Sequence, residues 1–494
     1  VALLQSIKEA LKSNNILARV YQIIMKNLDS RTFFMDDVVK PKEIWSSRST
    51  FLMAAIGCSV GLGNLWRFPY IAGQNGGSAF IMVYVGFVLI LGVPLIMSEL
   101  AMGREGKLSA VETMNRFVKK GYHPIWKIIG WISILVPILG LSYYAVIAGW
   151  SVEYTFKAIM GKFRDVDGAG SGAIFKASQD NVFSSILWFS IFLFTTVSII
   201  SRGVKNGLEK AVRIMLPALF VILFFLAIYA MITGDAAATV EFLLNPDFSK
   251  LTPRAILEAL GQALFSLAIG VGALITYGAY LPDDVSLPKS AGVIAMADTL
   301  VALLAGFAIF PIVFAYGLEP SEGPGLIFVT LPIAFGQMPG GILFGGLFFI
   351  LLSFAALSST IGMLEPIVAW FVDKGKSRAK MAWTSGMIAW SIGIFMVLSF
   401  NVLVEFKPLD FIPLFEGKNL FGIMDFTVAN LLIPINALMI GLFAGWAMTN
   451  EMAEKQLGFA IGSIEFIIWR ISTKYIATFA ITLVVYMMIF GNPF

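Results

Sequence analysis

The segment from Gly57 to Tyr70 decides the fold of this chain, and it reads GCSVGLGNLWRFPY. It places three glycines, an asparagine, an arginine and a proline inside an otherwise apolar stretch. In hydrocarbon an unpaired backbone N–H or C=O group is very unfavourable, so an interrupted helix survives only where protein or a cavity surrounds it. Interrupted helices direct half-helix N-termini at anionic solutes and free carbonyls at cations. The segment therefore predicts a solute-binding site at mid-membrane.

The composition indicates a membrane protein. Of the 494 residues, 58% are hydrophobic and only 13% are charged, which is too apolar for a soluble globular chain. The net charge of +4 comes from basic residues in separate loops, so no nucleic-acid partner is expected. The single cysteine, Cys58, excludes an intrachain disulfide, and the single histidine, His123, leaves no metal-ligand cluster. Zinc and thiol redox chemistry are therefore not expected, and neither is an enzyme.

The hydropathy pattern predicts an all-α integral membrane protein with about eleven transmembrane helices in a lipid bilayer. The apolar spans lie at 48–73, 79–101, 125–160, 182–200, 208–233, 254–281, 290–317, 342–372, 380–402, 421–447 and 462–490. The first and the sixth are interrupted by polar residues or glycines. In the sixth, Gly270 and Gly272 lie in the run FSLAIGVG, about 200 residues after the first interruption.

Two interruptions at matching positions predict an internal repeat. Each opens a unit of five spans, so we expect five plus five helices related by inversion, with helices 1 and 6 discontinuous. The transporter domain would cover 44–494, with repeat one at 44–233, repeat two at 254–447 and an additional helix at 462–490. For a lone glycine pair, close helix packing is the alternative explanation.

The charge distribution predicts the orientation. Basic residues such as Lys42, Arg104 and Arg202 alternate with acidic or mixed loops, which places the N-terminus in the cytoplasm and the C-terminus outside a cell membrane crossed many times. We expect residues 1–43 to be a cytoplasmic N-terminal segment, and their sequence shows no cleavable signal pattern. From Leu3 to Met25 they mix apolar and basic residues at helical spacing, which is typical of an amphipathic interfacial helix.

Several motifs recur in order after the opening segment. They are NGG at 75–77, AMGR at 101–104, LSYY at 141–144 and a serine pair at 358–359. Together they resemble the neurotransmitter:sodium symporter family, in particular its bacterial amino-acid transporters such as the bacterial leucine transporter. The resemblance extends from about Trp45 to the end. The short loop at 161–180 lacks the paired cysteines and glycosylation sequons of animal members, so we expect a prokaryotic source.

The resemblance implies two sodium sites, since Na⁺ is a hard cation that binds carbonyl, hydroxyl and amide oxygens. Site one would consist of Ser59, Asn64, Ser266 and Asp298, completed by the substrate carboxylate. Site two would consist of the carbonyls of Gly57, Val60 and Ala355 and the hydroxyls of Ser358 and Ser359. Helical serines also bond back to carbonyls of their own helix, which is the structural alternative for the serine pair.

Asp298 departs from the many relatives that have a neutral asparagine at this position. Chloride-dependent members bind the anion nearby, at positions that correspond here to Tyr84, Gln262, Ser266 and Ala302. Ala302 lacks the hydroxyl, and Asp298 lies one helical turn away. We therefore expect Asp298 to substitute for chloride, and transport to be chloride-independent.

The resemblance also implies the substrate class. Monoamine carriers have an aspartate where this chain has Gly61, so the substrate must bring its own carboxylate. This predicts sodium-coupled symport of a neutral α-amino acid, hydrophobic or aromatic, by alternating access. The alternatives are another small carboxylate-bearing amine and, less favoured, a channel. The predicted substrate-binding residues are Ser59, Leu62, Gly63, Gly140, Tyr144, Phe265, Ser266, Ala268, Val271, Ser359 and Met363.

Opposed charges predict two gates. Arg67 should face Asp425 at the outer end, with a snorkelling membrane anchor as the alternative role for Arg67. At the inner end, Lys42 and Trp45 should meet Asp373. Glu99 and Glu365 are expected to have structural hydrogen-bonding roles, with a proton-coupled role for Glu365 as the less favoured alternative. The chain would act as a monomer or a homodimer.

Overall fold

The computed structural model describes residues 43–318 and 325–490. Within these ranges all regular secondary structure is helical, and the predicted all-α membrane fold is confirmed. The predicted amphipathic helix at the N-terminus and the gate residue Lys42 lie outside the described residues. The domain boundary at 43/44 stays a prediction.

Apart from two three-residue 3₁₀ segments, Phe248–Lys250 and Pro413–Phe415, eighteen helical segments follow one another along the described chain. The first six are α1 (Arg48–Ser59), α2 (Gly63–Gln74), α3 (Ser78–Gly106), α4 (Ala110–Lys119), α5 (Pro124–Ile159) and α6 (Gly168–Asp180). The next six are α7 (Val182–Ser201), α8 (Val204–Thr233), α9 (Ala236–Leu244), α10 (Pro253–Ser266), α11 (Ala273–Ala279) and α12 (Leu287–Ala315). The last six are α13 (Leu326–Gln337), α14 (Gly341–Asp373), α15 (Arg378–Leu398), α16 (Leu420–Ala447), α17 (Asn450–Leu457) and α18 (Ile464–Phe490).

Nine helices of the described chain are long and apolar enough to cross a membrane: α3, α5, α7, α8, α12, α14, α15, α16 and α18. The pair α1 and α2, bent by 49° at a short break, makes a tenth span. The shorter helices α10 and α11 flank the second interruption, where the sequence predicts span six. The count of about eleven and the inverted repeat stay predictions.

The first break results from close packing around its glycines. Helix α1 ends at Ser59, Val60 is extended with φ −70° and ψ 108°, and α2 begins at Gly63. A Cβ atom on Gly61 would lie 2.4 Å from the Ser359 hydroxyl oxygen, and one on Gly63 would lie 3.1 Å from the Phe265 ring. The break therefore packs closely against both α14 and the end of α10.

The second break, between α10 and α11, has its backbone groups satisfied by neighbouring helices. Gly270 has φ +84°, a conformation that glycine adopts without strain. Its N–H donates to Glu99 Oε1 at 2.7 Å, and its carbonyl accepts from Asn436 Nδ2 at 2.7 Å. Asn436 also donates to Ser133 Oγ at 3.0 Å. Glu99 thus has the hydrogen-bonding geometry expected of a structural residue, because it replaces a bond that helical continuity would have supplied.

The two breaks lie within a bundle whose central contact joins α5 and α14 along their length. Helices α7 and α15 pack on that pair, while α3 packs against α11 and α8 against α12. Because α14 also contacts α1, the broken segments are held between the α5–α14 pair and the group formed by α3, α10, α11 and α12. This arrangement positions the candidate site.

Candidate functional site

A buried polar cluster surrounds the carboxylate of Asp298 on α12. Asn64 Nδ2 donates to Asp298 Oδ1 at 2.8 Å and to Ser266 Oγ at 2.9 Å. The Ser266 hydroxyl donates to Asp298 Oδ2 at 2.6 Å, and the Tyr84 hydroxyl donates to the same oxygen at 3.3 Å. All four side chains are buried. The structure thus brings together three of the residues predicted for sodium site one, Asn64, Ser266 and Asp298.

The fourth of these residues, Ser59, contributes from the end of α1. Its hydroxyl donates to the carbonyls of Ala55 at 3.2 Å and Leu267 at 3.3 Å. The hydroxyl therefore joins the first break to the second instead of bonding to Asp298. Its position at the first break leaves the Ser59 carbonyl beyond the last regular turn of α1, where helix carbonyls have no intrahelical partner.

Of the four positions predicted to correspond to a chloride site, two contact Asp298 directly. Tyr84 and Ser266 both donate to its carboxylate, and Ala302 is buried one turn further along α12. Gln262 Nε2 donates to the Gly63 carbonyl at 2.9 Å, while its Oε1 atom is buried without a hydrogen-bond partner in the described structure. The Tyr84 and Ser266 hydroxyls are thus already bonded to a fixed carboxylate, and the Gln262 amide is bonded to a backbone carbonyl.

The residues predicted for sodium site two meet where α1 contacts α14. Ser358 Oγ lies 3.5 Å from the Val60 carbonyl, and Ser359 Oγ lies 3.4 Å from the same oxygen. Both hydroxyls also donate to the Ala355 carbonyl, at 3.0 and 3.2 Å, as back-bonded helical serines do. A Cβ atom on Gly57 would lie 3.1 Å from Ser358 Cβ. Hydroxyl and carbonyl oxygens from two elements therefore converge, and the long contacts to Val60 are weak as hydrogen bonds.

A cavity of about 250 Å³ lies beside the first break. It is lined by Leu62, Gly63, Tyr144 and Phe265, all predicted to bind substrate. The Leu62 N–H donates to the Tyr144 hydroxyl at 3.0 Å, so a tyrosine already meets the amide at the start of α2. An amide at a helix N-terminus together with a hydroxyl can bind a carboxylate.

A second group of predicted substrate residues lies near Gly140 on α5. A Cβ atom on Gly140 would lie 3.7 Å from Met363 Sδ and 3.8 Å from Val428 Cγ1. The missing side chain leaves space bounded by α14 and α16. The sequence analysis did not include Val428, although its position three residues after Asp425 places both on one face of α16. Ala268 and Val271 are buried in the second break.

The predicted outer gate residues share the 250 Å³ cavity with the substrate residues. The Arg67 guanidinium lies 4.6 Å from the centre of the Phe265 ring. Asp425 interacts electrostatically with Arg67 and with Tyr143, but Arg67 and Asp425 form no direct ion pair. Arg67 thus lines a cavity between helices, which differs from the position of a snorkelling anchor.

At the opposite end of the bundle, Trp45 is 3% exposed and packs against α11. Its Nε1 atom donates to the Tyr277 carbonyl at 3.0 Å, and its ring lies edge-on to Tyr277 and Tyr280. Asp373 Oδ2 accepts from the Ser109 N–H at 2.6 Å. Trp45 is therefore buried against α11, and its role as a gate stays a prediction, while the predicted contact between Lys42 and Asp373 lies outside the described residues.

Glu365 connects Tyr280, at the same end of the bundle as Trp45, to α15. It accepts from the Tyr280 hydroxyl at 2.7 Å and forms an ion pair with Arg378. A buried carboxylate bonded to a tyrosine and an arginine has the structural geometry expected for it. Sequence reasoning missed Tyr280 and Arg378, since neither lies in a motif that marks a contact with Glu365.

Comparison with known proteins assigns the chain to a family. Residues 42–164 and 180–492 match the sodium:neurotransmitter symporter family. An uncharacterised sodium-dependent transporter of Bacillus subtilis is 39% identical over 444 residues, which are 89% of this chain and 96% of that protein. Another from Haemophilus influenzae is 31% identical over 463 residues, or 92% and 99% of the two chains.

A solved structure supports the same assignment. The crystal structure of MhsT in complex with L-phenylalanine superposes on this chain with a TM-score of 0.82, and the two sequences are 40% identical. The match covers 91% of this chain and 100% of the MhsT chain. With the fold, the broken helices and these matches, the chain belongs to the sodium:neurotransmitter symporter family and is a sodium-dependent membrane transporter.

Proposed function

We propose that the protein is a symporter that couples sodium entry to uptake of a neutral hydrophobic or aromatic α-amino acid, without a requirement for chloride. The observation that carries this proposal is the position of the 250 Å³ cavity. It adjoins a helix N-terminus, and the broken segments that border it also contact a buried carboxylate on α12 and a serine pair on α14.

The substrate carboxylate would bind at the amides of Leu62 and Gly63 and at the Tyr144 hydroxyl. Its ammonium group would bind the carbonyls of Ser59, Phe265 and Ser266. A carboxylate side chain in place of Gly61 has no room, because even a Cβ atom there would lie 2.4 Å from the Ser359 oxygen. A substrate with its own carboxylate therefore fits better than a monoamine.

The substrate side chain would extend toward Gly140, where Met363 and Val428 bound the free space. Apolar walls at the end of a pocket favour an apolar ligand group, because burial removes that group from water. The related structure of MhsT with L-phenylalanine supports an aromatic amino acid as the first substrate to test.

Two sodium ions would bind at the positions described above. At site one, Asn64 and Asp298 would be ligands together with the substrate carboxylate, which makes ion and substrate binding mutually dependent. An ionised carboxylate buried at mid-membrane is unfavourable alone, and a bound cation offsets that penalty. Because Asp298 already supplies a negative charge beside Tyr84 and Ser266, chloride would not be needed.

The two ends of the site would open alternately. We assign the end with Arg67 and Asp425 to the extracellular side and the end sealed by Trp45 to the cytoplasm, with the C-terminus outside. Solvent-accessible ion pairs contribute only about 0–1 kcal/mol, so a contact between Arg67 and Asp425 can form and break during each cycle. Transport would require the outer gate to close before Trp45 leaves Tyr277.

The test uses purified protein in liposomes with an inward sodium gradient. Radiolabelled phenylalanine should accumulate above its equilibrium level, and accumulation should persist when gluconate replaces chloride. Equilibration without accumulation would indicate a channel, and loss of uptake in gluconate would refute chloride independence. If phenylalanine is not carried, direct sodium-driven uptake of each of the other amino acids and of small carboxylate-bearing amines distinguishes the remaining substrates.

A further inference from the structure

The motif AMGR at 101–104 joins the end of α3 to α11, at the end of the bundle where Trp45 lies. A Cβ atom on Gly103 would lie 1.9 Å from the Ile275 carbonyl oxygen, so the two backbones touch with no room for a side chain. Backbones in such close contact leave no space for α3 and α11 to shift independently. The two helices therefore form one packed unit.

Arg104, the last residue of the motif, is buried and binds two further segments. Its Nη1 atom donates to the Val285 carbonyl at 2.5 Å, in the loop between α11 and α12. Its Nε atom donates to Gln456 Oε1 at 2.7 Å, and its Nη2 atom donates to the Gln456 carbonyl. Lys107 binds the same loop, since its Nζ atom donates to the Leu281 carbonyl at 2.9 Å. Two cations of the segment after α3 thus fix the loop that follows α11.

Gln456 connects these contacts to α17, and it is buried with both ends of its amide bonded. While its Oε1 atom accepts from Arg104, its Nε2 atom donates to Glu105 Oε2 at 2.8 Å. Glu105 also accepts from Lys455 at 2.9 Å and from Lys120, just after α4, at 3.1 Å. Because α4 packs on α5, these bonds connect the α3–α11 unit both to α17 and to the central α5–α14 pair.

The contacts of Gln456 extend to Trp45 through α11. Trp45 donates from Nε1 to the Tyr277 carbonyl at 3.0 Å and from its backbone N–H to the Tyr280 carbonyl at 3.3 Å. Helix α1 begins three residues after Trp45, so the position of α11 at this end sets the position of the start of α1. A displacement of α11 here requires the loop bound by Arg104 and Lys107 to loosen first.

We propose that Gln456 is a positioning residue of the transport cycle. It holds Arg104 and Glu105 together, keeps the end of α11 in place and so stabilises the state in which Trp45 packs on α11. Release of these bonds is then one step in the opening of this end. Hydrogen bonds to charged groups contribute more than neutral ones, so loss of both amide bonds shifts the equilibrium toward the open state. The effect on transport rests on the proposed function, whereas the coupling from α17 to α1 does not.

The coupling is measured by hydrogen–deuterium exchange on the full chain in lipid nanodiscs. Gln456→Met keeps the length of the side chain and removes both amide bonds. Glu451→Gln is the matched control, because Glu451 is exposed on the same helix and takes part in none of the bonds above. We expect backbone amides in 48–59 and 273–285 to exchange about tenfold faster in Gln456→Met, and at the wild-type rate in Glu451→Gln. Faster exchange confined to α17, or unchanged exchange throughout, overturns the proposal.

A swap of the two side chains tests the pairing itself. Gln456→Glu alone places one carboxylate against that of Glu105, so it should also speed exchange in α1 and α11. The double variant Gln456→Glu with Glu105→Gln restores a donor and an acceptor between the two positions and keeps an acceptor for Arg104. Exchange in 48–59 should return part of the way to the wild-type rate. Equal exchange in the single and double variants overturns the proposal.

Transport kinetics test the role in the cycle. In sodium-driven uptake of phenylalanine, Gln456→Met should raise KM about threefold or more with a smaller change in the maximal rate, because external substrate binds only the fraction closed at the Trp45 end. A lower maximal rate at unchanged KM overturns the role in the cycle. If the wild type takes up no amino acid with sodium, the proposed function fails, while hydrogen–deuterium exchange still decides whether α17 is coupled to α1.

Discussion

Asp298 is the residue on which the proposed independence from chloride depends. Its carboxylate accepts hydrogen bonds from Asn64, Ser266 and Tyr84. Under the proposal, this carboxylate supplies the negative charge that a nearby sodium ion needs, in place of a bound anion.

We expect Asp298→Asn to reduce uptake in chloride-free buffer by about tenfold or more, because the buried cation would lose its compensating charge. The double variant Asp298→Asn with Ala302→Ser should recover part of that uptake when chloride is added. Uptake is compared in gluconate and chloride at constant sodium. Asp298→Asn that transports normally in gluconate would contradict the charge-replacement argument.

The second prediction at the scale of single residues concerns Gly140 and Val428. Gly140→Val should weaken phenylalanine binding about tenfold or more and affect alanine less, because the added methyl groups enter the space that Met363 and Val428 bound. Val428→Ala should have the opposite effect and favour larger side chains. Competition binding with a series of amino acids measures both shifts, and an equal loss for all substrates would assign Gly140 to helix packing.

At the scale of elements, the first break depends on Gly61, where any added side chain would displace a predicted ligand. Breaks in spanning helices are unfavourable unless neighbouring groups satisfy the released backbone, as Glu99 and Asn436 do for the second break. The second interruption is therefore maintained by contacts from α3 and α16 as well as by local sequence.

We expect Gly61→Ala to abolish sodium-dependent substrate binding while the protein remains folded. The new Cβ atom would lie 2.4 Å from Ser359 Oγ and 2.9 Å from the Tyr144 hydroxyl, so both predicted ligands must move. Gly86→Ala on α3 is the matched control, because its Cβ atom would meet no atom within 4 Å and alanine favours a helix. Equilibrium binding and thermal unfolding are measured on both variants. Equal binding by both would show that the break is not sensitive to this contact.

At the scale of the whole molecule, sodium should stabilise the folded transporter. A ligand that binds only the native state contributes about 2.7 kcal/mol at one hundred times its dissociation constant. We expect the unfolding temperature to rise when sodium replaces choline at constant ionic strength. The double variant Ser358→Ala with Ser359→Ala should lose a large part of this shift, since both hydroxyls are predicted ligands of site two.

The control for this prediction lies on the same helix. Ser353 on α14 donates to the Phe349 carbonyl at 2.8 Å and belongs to neither sodium site, so Ser353→Ala should keep the full sodium-dependent shift. An identical shift in the control and the double variant would remove the serine pair from the proposed sodium site.

The amino-acid sequence by itself determined the membrane class, the places where helices break and the family, because these depend on hydropathy, on glycine and on motifs that are local in the chain. From the family resemblance it also predicted which residues carry the site. The all-helical fold and the family were confirmed, while the roles of the site residues stay predictions.

Only the tertiary structure decided which groups meet across long separations in sequence. Asp298 bonds to Asn64 and Tyr84, which are far from it in the chain. Val428 likewise lies opposite the distant Gly140, and Arg67 lines a cavity with residues from other helices. Periodicity shows which face of a helix is apolar, but it carries no information on which other helix covers that face. That choice depends on packing of the whole bundle, since side chains must fill space at close to crystalline density.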